Sequence, residues 1–194
     1  MAMASTSSSL VDRMVRAARL EPALYDEVDA DTGATSQALL VVAISAVANG
    51  LGLALGNVLA GRGGAVVGSL IGGIIQDVIG WVIFSLVMYL VGSMVFKAPT
   101  TYGRMLRSVG FAYAPGVLLV LRFVPILGGL VALAVGLWRL VATFIALREG
   151  LELDNGKTIA TVLIGLLGYL VVLAIFVAIF AAVGLGAALV GGAF

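Results

Sequence analysis

The sequence predicts an all-α, polytopic membrane protein with five transmembrane helices, preceded by a short amphipathic helix. Of its 194 residues, 62% are hydrophobic and 11% are charged, whereas soluble domains average about half and about a quarter. The apolar residues form runs that match the roughly 20 residues needed to cross a bilayer. The chain also has no Cys and no His, which removes thiol nucleophiles, imidazole bases and the commonest metal ligands. We therefore expect no catalytic residue, no cofactor and no metal site.

The N-terminal segment, residues 1–36, is predicted to be cytoplasmic. Residues 7–20 place apolar side chains such as Leu10 and Met14 at helical spacing, with the arginines mostly on the other face. Ser9 and Asp12 resemble a helix capping box. Two interpretations are open: the helix lies in the lipid headgroup layer, or it docks as a solvated helix on the rest of the protein. The segment has no apolar core, so we do not expect a cleaved signal peptide.

An acidic stretch follows, with five carboxylates between Glu21 and Asp31. The part from Asp29 to Gly33 faintly resembles a calcium loop. However, the third ligand position and the closing Glu are missing. We interpret the stretch as a solvated linker.

The transmembrane domain is predicted over residues 37–182, and small residues dominate its first half. The first crossing covers residues 37–60. The second apolar run, residues 64–96, is 33 residues long, or about 50 Å as a straight helix, which exceeds a hydrocarbon core of about 30 Å. Small residues recur every fourth position, so we expect the row of the first crossing to pack against that of the second. The rows are Ala48, Gly52, Gly56 and Ala60, and Gly64, Gly68 and Gly72.

The third crossing is predicted to be short and bent. Only 14 residues separate Arg107 from Arg122, so both arginines should snorkel to their interfaces. Pro115 removes a backbone donor and should bend the helix. The fourth and fifth crossings cover residues 125–147 and 158–182. Residues 183–194 form an apolar, Gly/Ala-rich tail that either extends the fifth helix or folds back along it.

Lysine and arginine residues give the expected orientation. With five crossings, eight of them collect on one side and two, Arg62 and Arg122, on the other. The excess predicts a multi-pass protein of the cell membrane with a cytoplasmic N-terminus and its C-terminus on the opposite side. A re-entrant third segment is disfavoured because it would move Arg148 and Lys157 to the wrong side. The eight are Arg13, Arg16, Arg19, Lys97, Arg104, Arg107, Arg148 and Lys157.

A candidate polar site inside the membrane comprises Gln76, Asp77 and Arg139. Ionisable residues within transmembrane helices are expensive and are functional candidates by default. Counting 1.5 Å per residue from the helix ends places both Asp77 and Arg139 near mid-membrane, where they could form an ion pair. The alternative puts Asp77 in the interface and lets Arg139 snorkel inward beside Trp138.

Aromatic residues supply a further set of candidates. Trp81, Trp138 and Tyr102 fit the role of interface anchors, because Trp and Tyr are enriched at membrane boundaries. Tyr113 differs, since its hydroxyl lies beside Pro115 and needs a partner if it is buried.

Three short motifs together resemble the Yip family of membrane proteins in the form found in prokaryotes. They are Tyr25-Asp26-Glu27-Val28, Gly110-Phe111-Ala112-Tyr113-Ala114-Pro115 and Ala146-Leu147-Arg148-Glu149. The resemblance extends from about Leu10 to Ala182 and implies a five-helix domain with a cytoplasmic N-terminus. Gly110, Tyr113, Pro115 and Arg148 are its motif residues.

The resemblance also bears on partners. Eukaryotic members bind prenylated Rab-type GTPases and act in vesicle traffic. In this chain the N-terminal segment is short, and the family's fuller Tyr-Gly-Pro motif is reduced to Tyr102-Gly103-Arg104, so we do not transfer that partner.

Two functional hypotheses remain for a chain that resides in the bilayer. The first is a non-enzymatic scaffold that binds other membrane proteins, lipids or a second copy through its small-residue helix faces. The second is a small transporter or channel with a polar path near Asp77 and Arg139. A net charge of +1 leaves no basic surface for nucleic acid.

Overall fold

The computed structural model describes residues 9–191, including the side chains of residues 9–179. Long apolar helices dominate this part of the chain. Lipid tails offer no hydrogen-bond partners, and an α-helix satisfies its own backbone N–H and C=O groups. A π-helical turn, Val91–Val95, prolongs α4, and a 3₁₀ helix, Ala114–Phe123, follows α5. The α-helices are α1 (Leu10–Ala18), α2 (Pro22–Ala30), α3 (Ala34–Leu59), α4 (Val66–Leu90), α5 (Tyr102–Phe111), α6 (Leu127–Leu151) and α7 (Asn155–Gly191).

Four stretches of the described chain are long and apolar enough to cross a membrane. They are Ala34–Leu59, Gly63–Val95, Leu127–Leu151 and Asn155–Ile179. The α5 and 3₁₀ pair passes the same test together, with a bend of 47°, and makes a fifth span when it is counted as one. Leu, Ile and Val side chains on these elements point outward and are exposed, as expected of a surface solvated by lipid tails. The predicted all-α, multi-span architecture is confirmed.

The chain runs back and forth between two ends of the bundle. At one end, here named the proximal end, α2 and the turn after α6 meet the start of α5: Arg104 of α5 lies 3.5 Å from Asp29 and 3.4 Å from Glu152. The opposite, distal end carries the turns around Arg62 and Ile126. α3 runs from the proximal to the distal end, and α4 returns.

The third predicted crossing follows α3 along most of its length. Gly110 packs on Ala38, and Gly52 packs on the carbonyl oxygen of Leu119. A 3₁₀ helix rises about 2 Å per residue against 1.5 Å in an α-helix, so ten residues of it cover about 20 Å. That extra rise lets a short segment reach the distal end, and the 47° bend just before Pro115 confirms the predicted kink.

The acidic stretch after α1 is a packed helix, so its interpretation as a solvated linker was wrong. Pro22 occupies the first turn of α2, where its missing N–H is not needed. Leu24, Tyr25 and Val28 are fully buried against α5 and α6. The carboxylates make the segment polar on average, although these three residues form an apolar face at helical spacing.

Arg107 fastens α2 to the bundle instead of snorkelling towards lipid, which corrects the prediction for this residue. Its Nε donates to the carbonyl of Val28 at 2.8 Å and its NH2 to that of Asp29 at 2.8 Å. These carbonyls belong to the last turn of α2 and lack intrahelical partners. A guanidinium at a helix C-terminus is favourable, so Arg107 acts as the cap of α2.

α1 is docked on the protein, which favours the second of its two interpretations. The predicted cap is confirmed, since Ser9 Oγ accepts from the amide of Asp12 at 3.2 Å. Arg13 is buried and donates to Glu27 at 2.9 Å and to Asp31 at 2.9 Å. These arginine hydrogen bonds go to α2 and its C-terminal edge rather than to anionic lipid.

The two glycine rows do not pack on each other, which corrects the prediction. In α3, Gly52 faces the 3₁₀ helix. The contact with α4 is made by Gly50 instead: a Cβ built on Gly73 of α4 lies 2.9 Å from the Cα of Gly50. No atom of the described residues lies within 4 Å of a Cβ built on any glycine of the second row, and this row is exposed. It begins in the 3₁₀ turn Gly63–Ala65 and continues along α4. That row comprises Gly64, Gly68 and Gly72. Of the other row, Ala48 is buried and Gly56 lies near Phe123.

The backbone of the tail continues α7 as a helix to Gly191, which answers the open question of its path as far as that residue. Residues 1–8 and 192–194 of the predicted terminal segments lie outside the described part of the chain.

Candidate functional site

A polar network lies inside the bundle where α3, α4 and α6 meet the 3₁₀ helix. Asp77 and Arg139 come together, with 3.7 Å between Asp77 Oδ2 and Arg139 NH2. Asn49 of α3 donates to the same carboxylate oxygen at 3.4 Å. The side chains of Asp77 and Arg139 are 10% and 19% exposed, so both charges are largely removed from the surface of the bundle. The structure therefore shows the paired arrangement and not the snorkelling one.

Further contacts extend the network in both directions. Arg122 NH1 donates to Asn49 Oδ1 at 2.8 Å, which links the network to the distal end. Arg139 also donates to Ser45 Oγ, and its guanidinium carbon lies 4.4 Å from the centre of the Tyr113 ring. A cation over an aromatic face is attracted by the ring quadrupole, more strongly when desolvated. Two arginines and one carboxylate leave the network with an excess positive charge.

A cavity of about 190 Å³ borders the network between α4, α6 and α7. Its lining includes the polar side chains of Tyr113 and Arg139 and the apolar side chains of Phe84 and Leu166. The chemistry available there is ion pairing and hydrogen bonding. Among residues 9–191 no three carboxylate side chains lie close enough to hold a metal ion.

Gln76 does not join Asp77 and Arg139. Its side chain is exposed on the outer face of α4 and borders a separate groove of about 150 Å³ between α4 and α7. The sequence interpretation also missed Asn49, although a lone amide in an otherwise apolar helix is a signal of function or interhelical contact.

Two of the family-motif residues, Gly110 and Pro115, position the third crossing. Gly110 allows α5 to approach α3, because a Cβ built there lies 2.8 Å from that of Ala38. Pro115 is buried at the start of the 3₁₀ helix. Arg148 lies elsewhere, at the end of α6, where its Nε donates to Glu149 at 2.8 Å. Trp81 is 5% exposed and donates to the carbonyl of Leu106 at 3.0 Å, so it is a core residue and not an interface anchor.

A second buried carboxylate, Asp29, lies at the proximal end outside the spans. It accepts from Ser108 Oγ and lies 3.5 Å from Arg104 NH2. Burial raises the pKa of Asp29, while the Ser108 hydrogen bond and the charges of Arg104 and Arg107 oppose that rise. The cluster joins α2 to α5, and its charged groups face each other instead of a cavity.

The comparison with protein families identifies the family of this chain. The model of the Yip1 domain matches residues 23–179. The chain belongs to the Yip1 domain family. Searches of curated proteins and of solved structures returned no match.

The matched range places the polar network within the Yip1 domain. It begins inside α2 and covers α3 to α6 and most of α7. α1 precedes the matched range, so Arg13 attaches an additional helix to the domain. The protein is an integral membrane protein of the Yip type.

Proposed function

We propose that this Yip1 domain protein is a non-enzymatic scaffold that binds other membrane proteins or lipids through its outward helix faces. The observation that carries the proposal is the open face of α4. Gly64, just before α4, and Gly68 and Gly72 within it form a smooth strip, and no described residue comes within 4 Å of their built Cβ atoms. Small residues let two transmembrane helices approach closely enough for extensive van der Waals contact. Gln76 continues the same row and offers both a donor and an acceptor.

The polar network supports the same proposal, because its contacts hold helices of the bundle together. Asp77 shares its charge with Arg139 and Asn49, and each of these residues comes from a different helix. Such contacts tie α3, α4 and α6 together in a medium where hydrophobic burial between helices gives no driving force. We further propose that the arginine-rich proximal end is cytoplasmic, on the basis of the positive-inside rule.

Self-association through the open face of α4 is expected to be detectable by disulfide crosslinking. The chain has no native cysteine, so Gly68→Cys introduces a single thiol on that face. In oxidised native membranes this variant should form a disulfide-linked dimer, and Gly72→Val added to it should abolish the dimer by roughening the strip.

The matched control is Leu133→Cys on α6. Leu133 is 62% exposed, and it lies six residues from the start of its helix, about as deep as Gly68. Equal crosslinking at both positions would indicate random collision and would argue against a specific α4 contact.

A transporter or channel is the second candidate, and the linkage of the network to the distal end favours it. Arg122, Asn49, Asp77 and Arg139 form a continuous series of polar contacts from that end to the cavity beside Tyr113. If the series is a path, solute flux into liposomes should appear with the wild-type protein and disappear with Asp77→Asn. Flux that persists in the variant would rule out a path through Asp77.

A further inference from the structure

We propose that the distal end binds the phosphate of an anionic phospholipid between Arg62 and Arg122. Two adjoining cavities of about 250 and 330 Å³ open there and share Arg122 and the glycines of the first turn of α6. This inference deepens the lipid-binding part of the proposed function and rests on it.

The charge of the site is cationic. Arg62 and Arg122 both line the smaller cavity, and neither cavity has an Asp or Glu among its described lining residues. Within the described chain Arg122 makes one side-chain hydrogen bond, to Asn49 at 2.8 Å, and a guanidinium has five N–H donors. The Asn49 contact fixes the guanidinium while most of its donors stay available for phosphate oxygens.

The start of α6 adds to the attraction for an anion. Gly128 and Gly129 line both cavities, and no side chain of the described residues caps this helix. Amide groups in the first turn of a helix lack intrahelical partners and carry partial positive charge. In α6 the amides of Leu127 and Gly128 donate to the carbonyls of Pro125 and Val124 at 2.7 Å, which leaves the amide of Gly129 for an oxygen of the ligand.

The surroundings of the site favour a lipid over a free anion. Ile126 is 90% exposed beside the larger cavity, and Leu59 is 64% exposed. Ile126 has φ of 67°, and Leu127 donates to the Pro125 carbonyl at 2.7 Å. A β-branched residue rarely adopts such a backbone conformation, so the turn holds an apolar side chain outward at an energetic cost. A phospholipid matches both the cationic cavity and this apolar rim.

The test is native mass spectrometry of the full chain titrated with phosphatidylglycerol, with phosphatidylcholine as the uncharged comparison. We expect one phosphatidylglycerol to bind in preference to phosphatidylcholine. Arg62→Gln should weaken binding at least threefold, since it removes one charge-assisted contact. Arg19→Gln, which removes an exposed arginine at the proximal end, should leave binding unchanged.

A second variant blocks the site without removing an arginine, since removal of Arg122 would break its hydrogen bond to Asn49 within the bundle. In the part of the chain that the structure describes, no atom lies within 4 Å of a Cβ built on Gly129, so Gly129→Asp fits, and a carboxylate at a helix N-terminus favours folding. It should abolish phosphatidylglycerol binding without lowering the melting temperature.

Equal losses in Arg62→Gln and Arg19→Gln would overturn the site, and so would full competition by inorganic phosphate, which would identify a free-anion site. Crosslinking through Gly68→Cys is measured on the same variants. Loss of lipid binding with intact crosslinking affects this inference alone, whereas loss of crosslinking with intact binding affects the protein-association part of the proposed function.

Discussion

Arg139→Leu is expected to lower the free energy of unfolding by on the order of 3 kcal/mol, because removing one partner of a buried ion pair leaves the other charge uncompensated. Asp77, whose side chain is 10% exposed, would keep the hydrogen bond from the amide of Asn49, 3.4 Å away. The measurement is reversible unfolding in mixed detergent micelles, followed by circular dichroism. The double variant Asp77→Leu/Arg139→Leu should recover at least half of the loss, since it removes both charges together.

Gln76→Leu is the control for this prediction. Gln76 is adjacent to Asp77 in sequence, but its side chain is exposed on the outer face of α4, so replacing this polar side chain by Leu should alter the free energy of unfolding by less than about 0.5 kcal/mol. A double variant no more stable than Arg139→Leu would show that the pair does not account for the cost.

Gly52→Val is expected to be comparably severe, with a loss of about 3 kcal/mol, at the upper end of the cost of overpacking a core. A Cβ at this position meets the carbonyl oxygen of Leu119 and lies 3.0 Å from that of Val120. Backbone atoms cannot rotate away, so α3 and the 3₁₀ helix must separate. The same unfolding measurement, with protease resistance of the third crossing as a second signal, checks the result.

Gly68→Val is the matched control, because it makes the same substitution in a membrane helix with nothing within 4 Å of the built Cβ. The intrinsic helix propensity of valine exceeds that of glycine by roughly 0.5 kcal/mol, so stability should stay the same or rise slightly. A large loss in Gly68→Val would mean that the α4 face is packed within the monomer.

The spans were predictable because their signal is local. Each apolar run had to become a helix long enough to satisfy its own backbone groups in lipid, and the structure places the crossings near the predicted residues. Depth counting also brought Asp77 and Arg139 to the same level, since the rise of a helix per residue is constant. The shortness of the third crossing was visible in the sequence, but its 3₁₀ geometry was not.

The partners of each helix face could not be predicted in the same way. A row such as Gly64, Gly68 and Gly72 identifies a face, yet lipid and protein interior are equally apolar, so hydropathy does not say which of them the face meets. α2 was missed for the opposite reason. Its carboxylates made the segment polar on average, while Leu24, Tyr25 and Val28 formed a buried face that only tertiary contacts with α5 and α6 reveal.

The central claim is that the bent α5 and 3₁₀ segment crosses the membrane alongside α3 and makes the fifth span. Single-cysteine variants Lys97→Cys and Ile126→Cys, placed before and after this segment in the cysteine-free chain, can be labelled with an impermeant maleimide on sealed vesicles of defined orientation. If the segment crosses the membrane, the two positions will be labelled from opposite sides. Labelling of both from the same side would show that the segment is a re-entrant loop.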